Sequence, residues 1–150
     1  MKKEVYVLAH NIRSLHNVGS IFRTCDGAGV SKLFLTGYSG VPPRKEIAKT
    51  ALGADESVAW EFHKDPIILL EELKKKGVQI VSLEKNAESL DITKFKAKYP
   101  ICMIVGNEIN GVEEELLVLS DAVLHIPMRG QKESLNVSVA FGIGIYQIFS

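Results

Sequence analysis

AVLHIPMRGQKESLNVSVA, residues 122–140, begins as a short apolar run, breaks at Ile126-Pro127 into a polar loop, and re-enters order at Ser134-Leu135-Asn136. Ser134 and Asn136 suit a helix start, because their side-chain oxygens accept from the unpaired amides of the first turn. The helix they open, 136–149, carries no charge after Asn136. At about a dozen apolar residues it is shorter than the roughly 20 needed to span a bilayer, so it reads as a buried helix. Capping alone leaves Ser138 and Ala140 unexplained, since they keep alternate positions of the helix start slender. A ligand or a second backbone passing close by accounts for them. The stretch is a strand-to-helix junction, and open α/β sheets bind ligands beyond the carboxyl ends of their strands.

Outward from this stretch, short apolar runs rich in β-branched residues recur at 5–9, 33–36, 57–62, 78–83, 101–105 and 122–126. Their lengths suit strands. Helix-like stretches lie between or after them at 18–28, 66–76, 113–120 and 136–149. That alternation predicts an α/β fold with a mostly parallel sheet and helices on both faces. The chain of 150 residues, 46% hydrophobic, is expected to form a single domain over 1–150. It shows no internal repeat or low-complexity tract, and residues 37–44 (GYSGVPPR) read as an exposed, mobile loop.

Two more junctions carry unusual residues. In NIRSLHNVGSIFRT, 11–24, Asn17, Gly19 and Ser20 suit a turn that opens a helix. Arg23 then falls one turn in, close enough to hold a phosphate; the alternative is an ordinary capped helix with a solvated arginine. In ICMIVGNEINGV, 101–112, an apolar strand runs into Gly106, Asn107, Glu108 and Gly111. Glycine there lets backbone approach a flat ligand, with Glu108 available to a polar group or an arginine; the alternative is a plain turn.

Composition excludes some classes. Eighteen basic residues balance eighteen acidic ones, so no strong field announces a polyanionic partner, and any site for one must come from local clustering or from pairing two subunits. Cys25 and Cys102 form no CxxC pair and no secretory leader precedes Val5, which predicts a reducing, cytoplasmic setting. His10, His16, His63 and His125 have no metal-ligand spacing, so no metal is expected. GxGxxG, GxSxG and the phosphate-loop signature are all absent, which argues against dinucleotide-fingerprint, hydrolase and NTPase readings.

The three junctions, in this order and spacing, resemble the three motifs of the SpoU-type branch (TrmH family) of the SPOUT class of RNA methyltransferases. NVGSIFRT resembles the first, IVGNEINGV the second and IPMRGQKESLNVSVA the third, and KTALGAD at 49–55 also looks like a family segment. The resemblance covers essentially the whole chain. It implies a deep trefoil knot near the C-terminus, a rare exception among folds. It further implies transfer of a methyl group from S-adenosyl-L-methionine to a ribose 2′-hydroxyl of transfer or ribosomal RNA.

By resemblance, Gly106, Ile126 and Leu135 contact the cofactor, with Leu83 a looser candidate. The catalytic arginine maps to Arg23 beside Asn17, and the other active-site positions to Glu108, Ser134 and Asn136. Ile109-Asn110 departs from relatives that carry glycine after the second-motif glutamate. Family members pair as homodimers, knot against knot, and the apolar terminal helix fits such a role. Lys2, Lys3, Arg13, Arg44, Lys45, Lys49 and Lys132 are candidate RNA contacts, or a solvated surface. No membrane association and no accessory RNA-binding domain are expected. The competing readings are a non-catalytic RNA-binding dimer that keeps the knotted fold, and a generic nucleotide-binding domain, told apart by binding of NAD in place of S-adenosylmethionine.

Overall fold

In the computed structural model, which describes residues 3–150, one sheet of seven strands is parallel at every described pairing. The strands are β1 (Val5–His10), β2 (Lys32–Thr36), β3 (Trp60–His63), β4 (Gln79–Leu83), β5 (Leu90–Asp91), β6 (Ile101–Val105) and β7 (Ala122–His125). They lie side by side in the order β3-β2-β1-β6-β4-β7-β5. The helices are α1 (Leu15–Ala28), α2 (Lys45–Ala51), α3 (Ala54–Ser57), α4 (Pro66–Lys75), α5 (Glu114–Leu119) and α6 (Val137–Phe149).

Strand pleating sorts the core into two layers. Val5, Val7 and Ala9 of β1 and Met103 and Val105 of β6 join Ile21 and Phe22 of α1, Ile47 of α2, and Phe141 and Ile145 of α6. Their sequence neighbours Leu8, Cys102 and Ile104 join Leu69, Leu70 and Leu73 of α4 and Leu116 of α5 on the other face. Burial on both faces is why β1 and β6 read as unbroken apolar runs. The two cysteines are buried free thiols, and burial pushes both well above the usual range.

Several boundaries move. α1 begins at Leu15, not at residue 18, because Ser14 is its cap and accepts from the Asn17 amide at 3.2 Å. Arg23 therefore sits in the third turn, so the expectation of a phosphate met at the helix N-terminus fails for it. Gly19 lies inside the helix, where a Cβ would collide with the Ile47 carbonyl and the Thr50 hydroxyl of α2. The strand expected at 57–62 starts only at Trp60, since Ser57 closes α3. α6 opens at Val137 with Asn136 as its cap, and Ser134 lies outside it. That helix is not fully buried as expected: Val139 (51%), Ile143 (45%) and Tyr146 (54%) form an exposed stripe. Ser39 anchors the 37–44 loop, its buried hydroxyl accepting from the Ile12 amide and donating to the Ala9 carbonyl.

β7 lies between β4 and β5, so the 84–89 connection arches over its carboxyl end. The Glu84 amide donates to the Leu124 carbonyl at 2.9 Å, and Ser89 Oγ lies 2.9 Å from His125 Nδ1. The chain leaves β7 on that same side, towards the helix that closes the fold.

Candidate active site

A cavity of about 250 Å³ opens beyond the carboxyl ends of β4, β6 and β7. Leu83, Gly106, Glu108, Ile126, Ser134 and Leu135 all line it, so the structure gathers these residues, expected from sequence, around one space. Asn17, Arg23 and Asn136 do not line it. Ile126 follows the last residue of β7 and sits in the loop that leads to α6. Among the described residues, no group of three or more His, Cys, Asp or Glu is placed to hold a metal ion, and no helix is long and apolar enough to cross a membrane.

The second junction folds into a tight turn joined by a bridge between Asn107 and Gly111, whose amides and carbonyls exchange bonds of 3.1 and 2.9 Å. Asn107 Oδ1 accepts from the amides of Ile109 and Asn110, while its Nδ2 donates to the Asn11 carbonyl and the Tyr38 hydroxyl. A Cβ on Gly106 would collide with the Gly111 carbonyl, so the turn itself requires glycine there, on the wall of the cavity. Ile109, at the departure from the family motif, is 81% exposed at the turn's tip. Sequence reasoning noted Asn107 at the junction without giving it a role, and it missed Glu84. Glu84 lines the cavity and accepts from the Val112 amide at 3.1 Å.

Of the partners expected for it, Glu108 takes polar groups of the chain itself. Its Oε1 accepts from the Arg13 amide at 2.9 Å, and its Oε2 from the Ser14 amide at 2.8 Å and from Asn17 Nδ2 at 3.0 Å. It therefore ties the second junction to the start of α1, and among the described residues no arginine side chain pairs with it. Burial raises the Glu108 carboxyl, but the Arg13 and Ser14 amides and the Asn17 side chain outweigh that and hold it below the ordinary glutamate range. A depressed native value means that the clamp stabilises the fold above the unfolded pKa of about 4.3 and is lost as pH falls through the native value. Glu108→Gln is expected to cost about 1 kcal/mol in urea unfolding at pH 7, since the carboxylate is partly solvated. The difference from wild type should shrink as pH falls below the unfolded value of about 4.3 and vanish once pH has passed below the depressed native value.

Both asparagines flanking the cavity have one end occupied. Asn17 spends its Nδ2 on Glu108, and its Oδ1 takes no hydrogen bond among the described residues; Asn136 accepts from the Ser138 amide and hydroxyl through Oδ1, and its Nδ2 makes none among them. Arg23 is exposed on α1, on a helix whose Thr24 and Gly27 meet Gly142 and Tyr146 of α6. Of the basic residues singled out, Lys3 lies over the Tyr99 ring at 5.2 Å and Arg44 approaches Glu46 at 3.8 Å. Arg13, Lys45, Lys49 and Lys132 are exposed, and Lys2 falls outside the described residues.

Residues 4–146 match the model of the SpoU rRNA Methylase family. The chain belongs to that family. It is a SpoU-type RNA 2′-O-methyltransferase. A tRNA (guanosine(18)-2′-O)-methyltransferase of Aquifex aeolicus is 36% identical over 147 residues, 97% of this chain and 69% of that protein. The 23S rRNA (guanosine-2′-O-)-methyltransferase RlmB of Ralstonia nicotianae is 33% identical over 132 residues, 88% of this chain and 53% of its own length. The crystal structure of an AdoMet-bound rRNA methyltransferase from Sinorhizobium meliloti superimposes with a TM-score of 0.86 at 27% identity, covering 98% of this chain and 56% of that one.

S-adenosylmethionine is the family's cofactor, and the cavity suits it chemically. Leu83, Leu124, Ile126 and Leu135 offer apolar surface to a flat purine, while the carboxylates of Glu84 and Glu133 suit a cationic ligand.

Proposed function

We propose that the protein methylates one ribose 2′-hydroxyl of a structured RNA, holding S-adenosylmethionine in the β4-β6-β7 cavity and working as a knotted homodimer in the cytoplasm. The observation that carries this reading is the convergence of Gly106, Glu108, Ile126, Ser134 and Leu135, from two separate motifs, with Leu83 on a single cavity. When bound, the cofactor supplies an electrophilic methyl group on a sulfonium.

The chain's own residues then have an alignment task, because an in-line displacement needs the ribose oxygen held behind the methyl carbon. Asn17 Oδ1 and Asn136 Nδ2, an acceptor and a donor without a partner among the described residues, with the exposed Ser134, suit the sugar. A guanidinium makes a poor base, so the work of Arg23 is to clamp the neighbouring phosphate and orient the hydroxyl, whose proton passes to phosphate or water. The buried free thiols are compatible with a reducing compartment.

The position of β7 beneath the 84–89 arch supports a knot, in which the chain after His125 passes through that arch. The stripe Val139, Ile143 and Tyr146 supports pairing of two copies through α6. Arg23 lies off its own cavity yet on the helix that meets α6, which supports a site completed by the second copy. Tyr146→Lys is expected to shift sedimentation from dimer to monomer and to remove activity with it.

The deciding experiment measures methyl incorporation from labelled S-adenosylmethionine into unmodified transfer and ribosomal RNA. The product is mapped by ribose-methyl-sensitive sequencing. Incorporation at one 2′-hydroxyl is the expected result. Cofactor binding with no incorporation into either RNA, under conditions where RNA binds, would favour the non-catalytic dimer instead.

A further inference from the structure

A second cavity, of about 480 Å³, lies at the carboxyl ends of β1 and β2, and no residue assigned above to catalysis or cofactor binding lines it. His10, Asn11, Tyr38, Lys64 and Glu113 are among its walls. Tyr38 stands 60% exposed, yet it is held at both ends. Its amide donates to Asn11 Oδ1 at 2.9 Å and its hydroxyl accepts from Asn107 Nδ2 at 2.8 Å. Asn11 is itself fixed, in the left-handed region at φ 55 and donating through Nδ2 to Glu113 Oε1 at 2.9 Å. An exposed aromatic ring anchored in this way loses little side-chain freedom when something stacks on it.

The floor of the cavity is polar and ordered. Buried His10 lies 2.9 Å from Thr36 Oγ1 on one side and 2.9 Å from Glu113 Oε1 on the other. Glu113 Oε1 thus meets two partners, while its Oε2 takes no hydrogen bond among the described residues. With Glu113 and Glu115 both lining the space, a phosphate is disfavoured inside it. A flat, uncharged ring whose edge bears N–H donors is favoured, and Lys64 on the wall suits a phosphate outside. Through Asn107, whose side chain also braces the turn that borders the cofactor cavity, Tyr38 is joined directly to the first site.

We propose that this second cavity holds a nucleobase of the RNA substrate, other than the one on the methylated ribose, stacked on Tyr38 with its N–H edge on Glu113. The inference rests on the RNA-methylating reading given above and extends it to recognition of a second, splayed-out nucleotide. Stacking on an aromatic side chain is how proteins commonly hold an unstacked RNA base.

Tyr38→Leu and Tyr38→Phe, compared with wild type on an unmodified transfer RNA transcript or whichever RNA wild type methylates, test it. For Tyr38→Leu the KM for RNA should rise about tenfold, and the dissociation constant from fluorescence anisotropy should rise equally. Its kcat and its affinity for S-adenosylmethionine should stay within about twofold of wild type, and Tyr38→Phe, which keeps the ring, should restore RNA affinity. If Tyr38→Leu binds RNA as wild type does while wild type methylates it, this inference alone is overturned. If Tyr38→Phe falls as far as Tyr38→Leu, the effect belongs to the hydroxyl bond with Asn107 and stacking is again excluded. A wild type that neither binds nor methylates RNA overturns the underlying reading, and this proposal with it.

Discussion

Arg23→Ala is expected to lower kcat for methyl transfer by about 10²–10³-fold while leaving S-adenosylmethionine affinity within about twofold. The separation follows from position: Arg23 is exposed on the third turn of α1 and does not line the cavity proposed for the cofactor, so its removal leaves those walls intact. What is lost is the planar fork that holds a phosphate bidentately, and Arg23→Lys should recover only a small part of the rate because ammonium acts as a point charge. The pH–rate profile of the lysine variant should keep the wild-type shape, since no proton is taken up by Arg23 in the proposed mechanism. Single-turnover rates and equilibrium binding, measured in parallel, check both halves. A composite dimer site gives a further result. Mixing Arg23→Ala with Ser134→Ala, each nearly inactive alone, should regain activity as mixed dimers form, because one site of each pair is then whole. No recovery in demonstrated mixed dimers would place both residues in the same protomer's site.

The second large effect is on stability. Phe141→Ala should cost about 3–5 kcal/mol, because it deletes a fully buried ring from the core layer shared by the sheet, α1 and α6. For a chain of this size that corresponds to a fall in Tm of roughly 6–20 °C, read by calorimetry at fixed protein concentration. α6 also brings Val137 and Ala140 to the cofactor cavity, so the loss and the site are linked. Saturating S-adenosylmethionine at about 100 times its Kd should return about 2.7 kcal/mol, provided that the cavity still forms. Failure of the cofactor to raise the variant's Tm at all would show that α6 no longer presents its side of the site.

The sheet was legible where strands are buried on both faces. β1 and β6 are continuous apolar runs because each residue meets a helix layer. β5 was not, since its two residues become a strand only by pairing with β7, more than thirty residues later in the chain. α2 escaped notice for a related reason: among its seven residues only Ile47 and Ala51 are buried, too few to set a period. At the site, residue types and motif order pointed to the cavity lining, whereas hydrogen-bond partners did not. Nothing local marks Ser14 rather than Asn17 as the cap of α1, and the oxygens of Glu108 meet amides 94 and 95 positions away. Such pairings are set by how the second junction folds against the first, and sequence spacing carries no record of them.

The two lateral strands have a bearing on how copies of this chain can associate. β5 offers two residues to a would-be neighbour, and β3 offers four, among them Glu61, which is engaged by Lys32 and His63. An incoming extended segment finds too short a ladder on one side and charged side chains on the other, so fibril-like growth by edge pairing is blocked at both ends. Seven parallel strands, slow to assemble and prone to recruit strangers while they do so, are thereby protected once they have closed ranks.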